Sequence, residues 1–349
     1  MGFLKKVIEN LLLFTIIVLM LGALVSGVEY KYNSPYAYGI KNPLSPLLGT
    51  VENQTPQKMP LTKFIFTRTY EYLKFSVDVF KNQTGTTKII RGQNEVIEIH
   101  ISSPSEMFYH VVGVSAGDAI LNTLLLLTLT MILVFVIGLS WGLRAGYKGG
   151  WWDKTLRATA PLFSAIPGWF WGIFLMWVLW WKLSVVPLSY IDYIHQVEAN
   201  GHVTPLTYLY AMTIPVLTLT FVNTAVYAYN VRTLVVKELD QDYFMVDLLK
   251  GLPDRRVMKK ALRTVLPSFL TFTSYNFLNL MINGMAVEVM FNVPGIGATF
   301  AGGVAIMIQR LNGELIFFSA LVMALFYFIN STIMEGIYLR LDPRVRHDV

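Results

Sequence analysis

Six apolar runs, each close to the length of a bilayer crossing, decide what this chain can become. They cover about residues 7–28, 119–143, 158–181, 206–230, 268–290 and 315–338. A helix needs roughly 20 apolar residues to cross the hydrocarbon core. In lipid only helices and closed barrels satisfy their own backbone groups. The chain is therefore read as an all-α integral membrane protein with six transmembrane helices. Only 14% of its residues are charged, against about a quarter in soluble domains. The first run follows Lys5 and Lys6 and is too long for a signal-peptide core. Residues 1–28 are read as a retained N-terminal transmembrane helix.

An even number of crossings puts both termini on one side, and basic residues say which. The N-terminus, the 144–157 and 231–267 loops and the tail together hold 17 Lys and Arg; the short loops 182–205 and 289–314 hold one each. Both termini are expected in the cytoplasm of a multi-pass plasma-membrane protein, in contact with membrane lipid. The basic excess then reflects topology, and no nucleic-acid partner is implied.

Residues 29–118 are too long and too polar for a short turn and are expected outside the cell as a small α+β domain inserted after helix 1. Phe66, Tyr70, Leu73, Val77 and Phe80 recur at helical spacing. Further on, Lys88–Arg91 and Glu95–Ile101 flank Gly92-Gln93-Asn94, and Ile97, Ile99 and Ile101 alternate with polar residues as in a hairpin. Asn53-Gln-Thr55 and Asn82-Gln-Thr84 are glycosylation sequons, so Asn53 and Asn82 are candidate acceptors. Residues 119–349 form the remaining five-helix core. In the third run five tryptophans fit anchoring at the lipid interface, and Pro161, Pro167 and Pro215 are expected to kink spans three and four.

Several chemistries are excluded. The chain has no cysteine, so disulfides and thiolate sites are ruled out. There is no GxxxxGK[ST] loop for ATP, no GxSxG and no HExxH. No catalytic residues, metal ligands or cofactors are assigned. Within the five later runs only Glu288 and Glu335 carry a carboxyl group, both near span ends, where they could reach water. So little buried charge argues against an ion-coupled secondary transporter. Asn276, Asn279 and Asn283 share one face of the fifth run, and Asn223 and Asn230 lie one heptad apart in the fourth. These amides either line a path for a polar solute or hydrogen-bond helices together. Segment 289–314 is too broken to span and reads as a short helix and turn in the outer mouth, or as a re-entrant piece.

The most patterned polar stretch is Asp240–Pro267, dense with charge between two apolar runs. A first helix covers Asp240–Lys250, Gly251 breaks it, and Pro253 suits the first position of a second helix. Asp254 in its first turn and Lys259, Lys260 and Arg263 toward its end match the helix dipole. Val257, Ala261 and Val265 make one apolar stripe. A projecting helix pair of this kind fits a cleft in a partner protein.

This stretch resembles the coupling loop of binding-protein-dependent ABC importer permeases, in the dipeptide/oligopeptide branch. The matching residues are Asp242-Tyr243, Lys250-Gly251-Leu252, Arg255-Arg256-Val257 and Leu266-Pro267. The resemblance continues through Asn122-Thr123-Leu124, Gly138, Gly142, Gly149–Asp153, Ser164-Ala-Ile-Pro167, Pro187, Glu288, Phe291, Pro294-Gly295, Gly297 and the tail Leu341–Arg346. It spans about residues 118–346. Asp247 stands where the family usually has alanine, and Arg310-Leu-Asn-Gly313 replaces the family's usual sequence before the last span.

The resemblance implies a type I ABC importer permease fold and a role as the transmembrane subunit of an ATP-driven importer of di- or oligopeptides. Oligosaccharides or nickel are the alternative cargo. The implied partners are a second homologous permease subunit, two cytoplasmic ATPases that carry ATP and magnesium, and an extracytoplasmic substrate-binding protein. Tyr243, Val246, Asp247, Lys250, Gly251, Leu252, Pro253, Arg255 and Arg256 would then meet the ATPase. Glu288, Phe291, Pro294, Gly295 and Gly297 would shape the outer mouth.

Overall fold

The computed structural model describes residues 2–32, 60–81, 88–91, 97–100, 103–304 and 312–341. Asn53, Asn82 and the tail beyond Leu341 lie outside the described residues. Helix α1 is Gly2–Tyr32 and α2 is Leu61–Asp78. Strands β1 (Lys88–Arg91) and β2 (Ile97–His100) pair antiparallel with Ile89 opposite Ile99, as the alternation suggests. Then come α3 (Pro104–Val112), α4 (Ala116–Lys148), α5 (Gly150–Ala165) and α6 (Gly168–Leu175), which runs on as a π-helical turn, Met176–Lys182. They are followed by α7 (Tyr190–Asn200), α8 (Pro205–Ala211), α9 (Thr213–Leu239), α10 (Asp242–Leu249), α11 (Asp254–Met290), α12 (Ile296–Val304) and α13 (Gly313–Leu341).

Local chemistry sets many of these ends. Ser103 accepts the Glu106 amide at 3.2 Å and Pro104 opens α3, while Gly113 closes it at φ 86°, a left-handed position that suits glycine. A reciprocal Thr204–Thr207 box starts α8.

Among the described residues, four helices are long and apolar enough to cross a membrane: Lys5–Lys31, Ala116–Lys148, Thr213–Leu239 and Gly313–Ile337. The third apolar run bends more sharply than a simple proline kink. It divides into α5 and α6, which bend by 102° where Ile166-Pro167 separates them. Ile166 is extended, as a residue before proline prefers. Pro161, by contrast, sits inside α5 without breaking it. The fifth run also departs from expectation: α11 passes through position 267 and fuses the second loop helix to the membrane run in a single 37-residue helix.

The chain clusters into two compact units. One comprises Met1–Ile8, Thr123–Val293 and Ile329–Val349. Its centre is α9, against which α11, α5 and α6 all pack. Two thirds of the α9 apolar window (67%) is buried, against 22–28% in the other three. Along α4, Gly138, Gly142 and Gly146 let α9 approach closely. A Cβ at Gly142 would sit 2.5 Å from the Ala228 carbonyl and 2.6 Å from Val231 Cβ. The hydrogen bonds Tyr227–Thr273 (2.9 Å, α9 to α11) and Asn330–Ser274 (2.9 Å, α13 to α11) join helices inside this unit.

The second unit comprises Glu9–Asn122 and Pro294–Phe328. Its core joins Val18 and Val25 of α1, Tyr72 of α2 and Phe317 of α13. Here α2 buries Phe64, Arg68, Thr69, Tyr72, Phe75 and Ser76. Of the apolar stripe visible in sequence, Phe66, Tyr70, Val77 and Phe80 point outward, while Leu73 packs half-buried against this core. The helix is present, and the face it buries is the opposite one.

Candidate functional site

The charged loop folds as a braced knob. Helix α9 ends at Leu239, and α10 turns back so that Phe244, fully buried, packs on Val257 and Ala261 of α11. Tyr147, Leu239 and Leu252 close around this cluster. Val265 continues the buried stripe. The reversal between the helices needs Gly251 at φ 67°, a region open to glycine at little cost. Pro253 is extended (φ −64°, ψ 141°) and caps α11 one residue before its first turn, so Asp254 opens the helix. The Tyr147 hydroxyl donates to Asp254 Oδ1 at 2.8 Å and ties the end of α4 to the start of α11. Lys260 Nζ lies 5.6 Å from the Tyr243 ring centre and 5.5 Å from that of Phe244, within cation–π range.

What the knob presents outward is apolar and basic. Tyr243, Met245, Val246 and Leu249 are exposed, Leu249 to 83%. Lys250, Gly251, Pro253, Arg255 and Arg256 are exposed beside them, and Leu252 is half-buried in the brace. The Asp247 backbone belongs to α10; its side chain lies outside the described residues. Met245 and Leu249 were not singled out in the sequence, though they are the outward members of the same helical register that buries Phe244.

A buried carboxylate with two less buried arginine partners supports this end of the unit. Asp153 of α5 accepts from Arg232 Nε of α9 at 2.7 Å and pairs with Arg157 at 2.9 Å. Nothing in sequence spacing links positions 153 and 232.

The polar residues of α9 and α11 are arranged less uniformly than their spacing suggests. Asn223, Asn230 and Asn283 each donate the side-chain amide to a carbonyl one turn back: Leu219 (2.7 Å), Val226 (2.9 Å) and Asn279 (2.8 Å). Asn279 is half-buried. Asn276 is buried, and its side-chain N–H₂ has no hydrogen-bond partner among the described residues.

At the other end, Glu288 does not reach water. It is fully buried and accepts the Thr123 hydroxyl at 2.6 Å. The next turn is fixed by its backbone: Val293 N–H donates to the Glu288 carbonyl (2.8 Å), and Tyr190 N–H donates to the Phe291 carbonyl (3.0 Å). Asn292 takes φ 53°, a left-handed position that asparagine tolerates. Phe291, Pro294, Gly295 and Gly297 are all buried. The Asn122 amide donates to the Pro294 carbonyl at 3.1 Å.

Sequence reading missed a buried charge cluster in the second unit. Arg68 binds Glu29 through Nε (3.0 Å) and Nη2 (2.9 Å), Glu314 through Nη2 (2.7 Å) and Glu71 through Nη1 (2.6 Å). Tyr72 donates its hydroxyl to Glu29. Burial opposes charge on Arg68, but Glu314 and then Glu29 outweigh it and hold the guanidinium above its usual range. Burial, then the Glu29 charge, pushes the Tyr72 phenol up as well.

Comparison with known proteins decides the family. Residues 135–347 match the family described as the binding-protein-dependent transport system inner membrane component. The chain belongs to this family. It is 24% identical over 306 residues to the probable D,D-dipeptide transport system permease protein of Escherichia coli (strain K12), covering 83% of this chain and 82% of that protein. It is also 24% identical over 231 residues to the metal-staphylopine import system permease protein of Staphylococcus aureus (strain NCTC 8325 / PS 47), covering 66% and 68%. A third relative is the oligopeptide transport system permease protein of Mycoplasma genitalium, 23% identical over 265 residues and covering 74% and 60%. The family match includes α9–α11 and the knob between them.

Proposed function

We propose that this chain is the peptide-importing permease subunit of an ATP-driven, binding-protein-dependent transporter. It pairs with a second homologous permease and receives substrate from an extracytoplasmic binding protein. Two cytoplasmic ATPases carry the ATP and magnesium and act on the α10 knob; this chain supplies no ATPase site. On this reading α1, α4, the bent α5–α6 pair, α9, α11 and α13 make six crossings. The termini and the knob face the cytoplasm, and residues 29–118 enter from the outside.

The observation that carries the coupling role is the pairing of an outward apolar face, Tyr243, Met245, Val246 and Leu249, with a buried brace around Phe244. A solvated loop has no use for four exposed apolar side chains, whereas a helix seated in a protein groove does. Continuity of α11 from Asp254 to Met290 gives a stiff path from knob to membrane. Asn223, Asn230, Asn276, Asn279 and Asn283 are the proposed lining of the solute path, with Asn276 the donor that remains to be satisfied. Glu288, Phe291, Pro294, Gly295 and Gly297 are the proposed outer mouth.

The test is reconstitution with the partner subunits. Gly251 or Leu252 replaced by a bulky charged residue should abolish ATP-driven peptide uptake while the complex still assembles; normal uptake would overturn the coupling role. Similarity to the metal-staphylopine permease favours a second cargo, a metal–chelator complex. A panel of peptides, oligosaccharides and metal chelates, scored by stimulation of ATP hydrolysis, separates the two.

A further inference from the structure

The corner between α4 and α5, in the unit centred on α9, carries cations that its packing does not use. Helix α4 ends in Lys148, the last residue of a membrane-spanning helix. At 1.5 Å per residue its 33 residues make a rod of about 50 Å, against a hydrocarbon core about 30 Å thick. Its last turns therefore stand in the headgroup layer. Ile132, Val136, Ser140, Arg144 and Lys148 recur every four residues and are all exposed, so they run down one side of the helix. That side is apolar in the core and turns basic as it reaches the headgroups.

Helix α5 sets two indoles against the basic end. Leu156 packs on Ala145 of α4 and Ala228 of α9, and Trp141 Nε1 donates to the Trp152 carbonyl at 3.4 Å. The Arg144 guanidinium carbon then lies 5.6 Å from the Trp152 ring centre, within cation–π range. The Trp151 ring stands edge-on to Trp152 at 5.7 Å and is 71% exposed. Asp153 is the one carboxylate between positions 141 and 158, and Arg232 and Arg157 engage it. Among the described residues neither Arg144 nor Lys148 enters an ion pair. Indoles settle at the membrane–water interface, and cations at a span end attract anionic lipid.

We propose that Arg144 and Lys148, flanked by Trp151 and Trp152, bind the headgroup of an anionic phospholipid. Its acyl chains lie along the exposed side of α4 that carries Val136 and Ser140. The occupant is a lipid because the cations continue that side, in a span with only 28% of its apolar window buried. It is anionic because two cations without carboxylate partners wait at headgroup level. The site needs only that α4 crosses the bilayer, whichever side its Lys148 end faces and whatever solute the permease carries.

The chain has no cysteine, so an introduced thiol is a unique label. Ser140→Cys carries bimane in the full chain, within its complex, in phosphatidylcholine vesicles. A small fraction of the lipid is brominated on its acyl chains, as phosphatidylglycerol in one series and phosphatidylcholine in the other. Brominated phosphatidylglycerol should reach the label with about tenfold higher relative affinity. Arg144→Gln with Lys148→Gln should bring the two lipids to parity, whereas Arg144→Lys with Lys148→Arg should keep the preference. Leu124→Cys, at the other end of α4, should show none. Equal quenching in the parent chain, or a preference that survives the double glutamine variant, would overturn the proposal. Absence of quenching by either lipid would show that protein covers this side and would overturn it too. Loss of the preference on adding soluble glycerol phosphate would reveal a site for free phosphate instead of lipid.

Discussion

Thr123 gives its hydroxyl proton to Glu288 at 2.6 Å, and both side chains are sealed from solvent. A carboxyl group buried near a span end is costly unless donors surround it. Removing this donor while keeping the volume, as in Thr123→Val, should cost about 1–3 kcal/mol. Thr123→Ser, which keeps the hydroxyl, should recover most of the loss. Melting of the detergent-solubilised protein measures both. Equal melting of wild type and Thr123→Val would show that Glu288 does not depend on this bond.

The approach of α4 to α9 rests on missing side chains. Gly142→Ala would place a methyl 2.5 Å from the Ala228 carbonyl, backbone that cannot swing aside. Overpacking of this kind should destabilise by about 1–3 kcal/mol. Gly27 in α1 is the control, because nothing lies within 4 Å of an added Cβ. There alanine should be neutral or stabilising by up to about 1 kcal/mol, through helix propensity alone. Opposite signs in one thermal assay are the expected result. A Gly142→Ala protein as stable as wild type would mean the two helices separate easily.

The knob separates docking from folding. Leu249 is 83% exposed, so Leu249→Asp should leave stability within about 0.5 kcal/mol and still abolish uptake. Phe244→Ala empties the brace and should cost about 3–5 kcal/mol locally, with faster proteolysis of the 240–254 segment. Uptake is then lost for a different reason. Should Leu249→Asp transport normally with full ATPase stimulation, the outward face of α10 is not the contact.

Much of this was legible in the sequence. Apolar length marked six runs, four of which are helices long and apolar enough to cross a membrane, and Gly251, Pro253 and the Val257–Ala261–Val265 stripe marked the knob, because turn chemistry and helical period act locally. The bend at Pro167 was visible only as a kink, since the angle between α5 and α6 depends on what α9 packs against. Position 267 looked like a boundary because proline usually ends helices, yet α11 passes through it. In α2 a clean aromatic stripe hid the buried face. Periodicity shows that a helix has two faces but not which of them packs on its neighbours. Glu29, Arg68 and Glu314 stand far apart in sequence, so no spacing could join them.

That cluster makes the sharpest stability prediction. Arg68 is the one cation bonded to both Glu29 and Glu314 among the described hydrogen bonds, and all three residues are buried. Arg68→Met keeps most of the packing on Tyr72 but leaves two carboxyl groups facing each other with their shared donor gone. Breaking a buried ion pair from one side typically costs about 3–5 kcal/mol, and the expected sign is release of α2 from α1. A combined Glu29→Gln, Arg68→Met, Glu314→Gln variant removes the opposed charges and should regain much of the loss, because neutral replacement of a whole buried cluster is often tolerated. Protease protection of residues 61–78 reads both variants. Full protection in Arg68→Met alone would show that apolar contacts of Phe64, Thr69 and Tyr72 hold the helix without the charges.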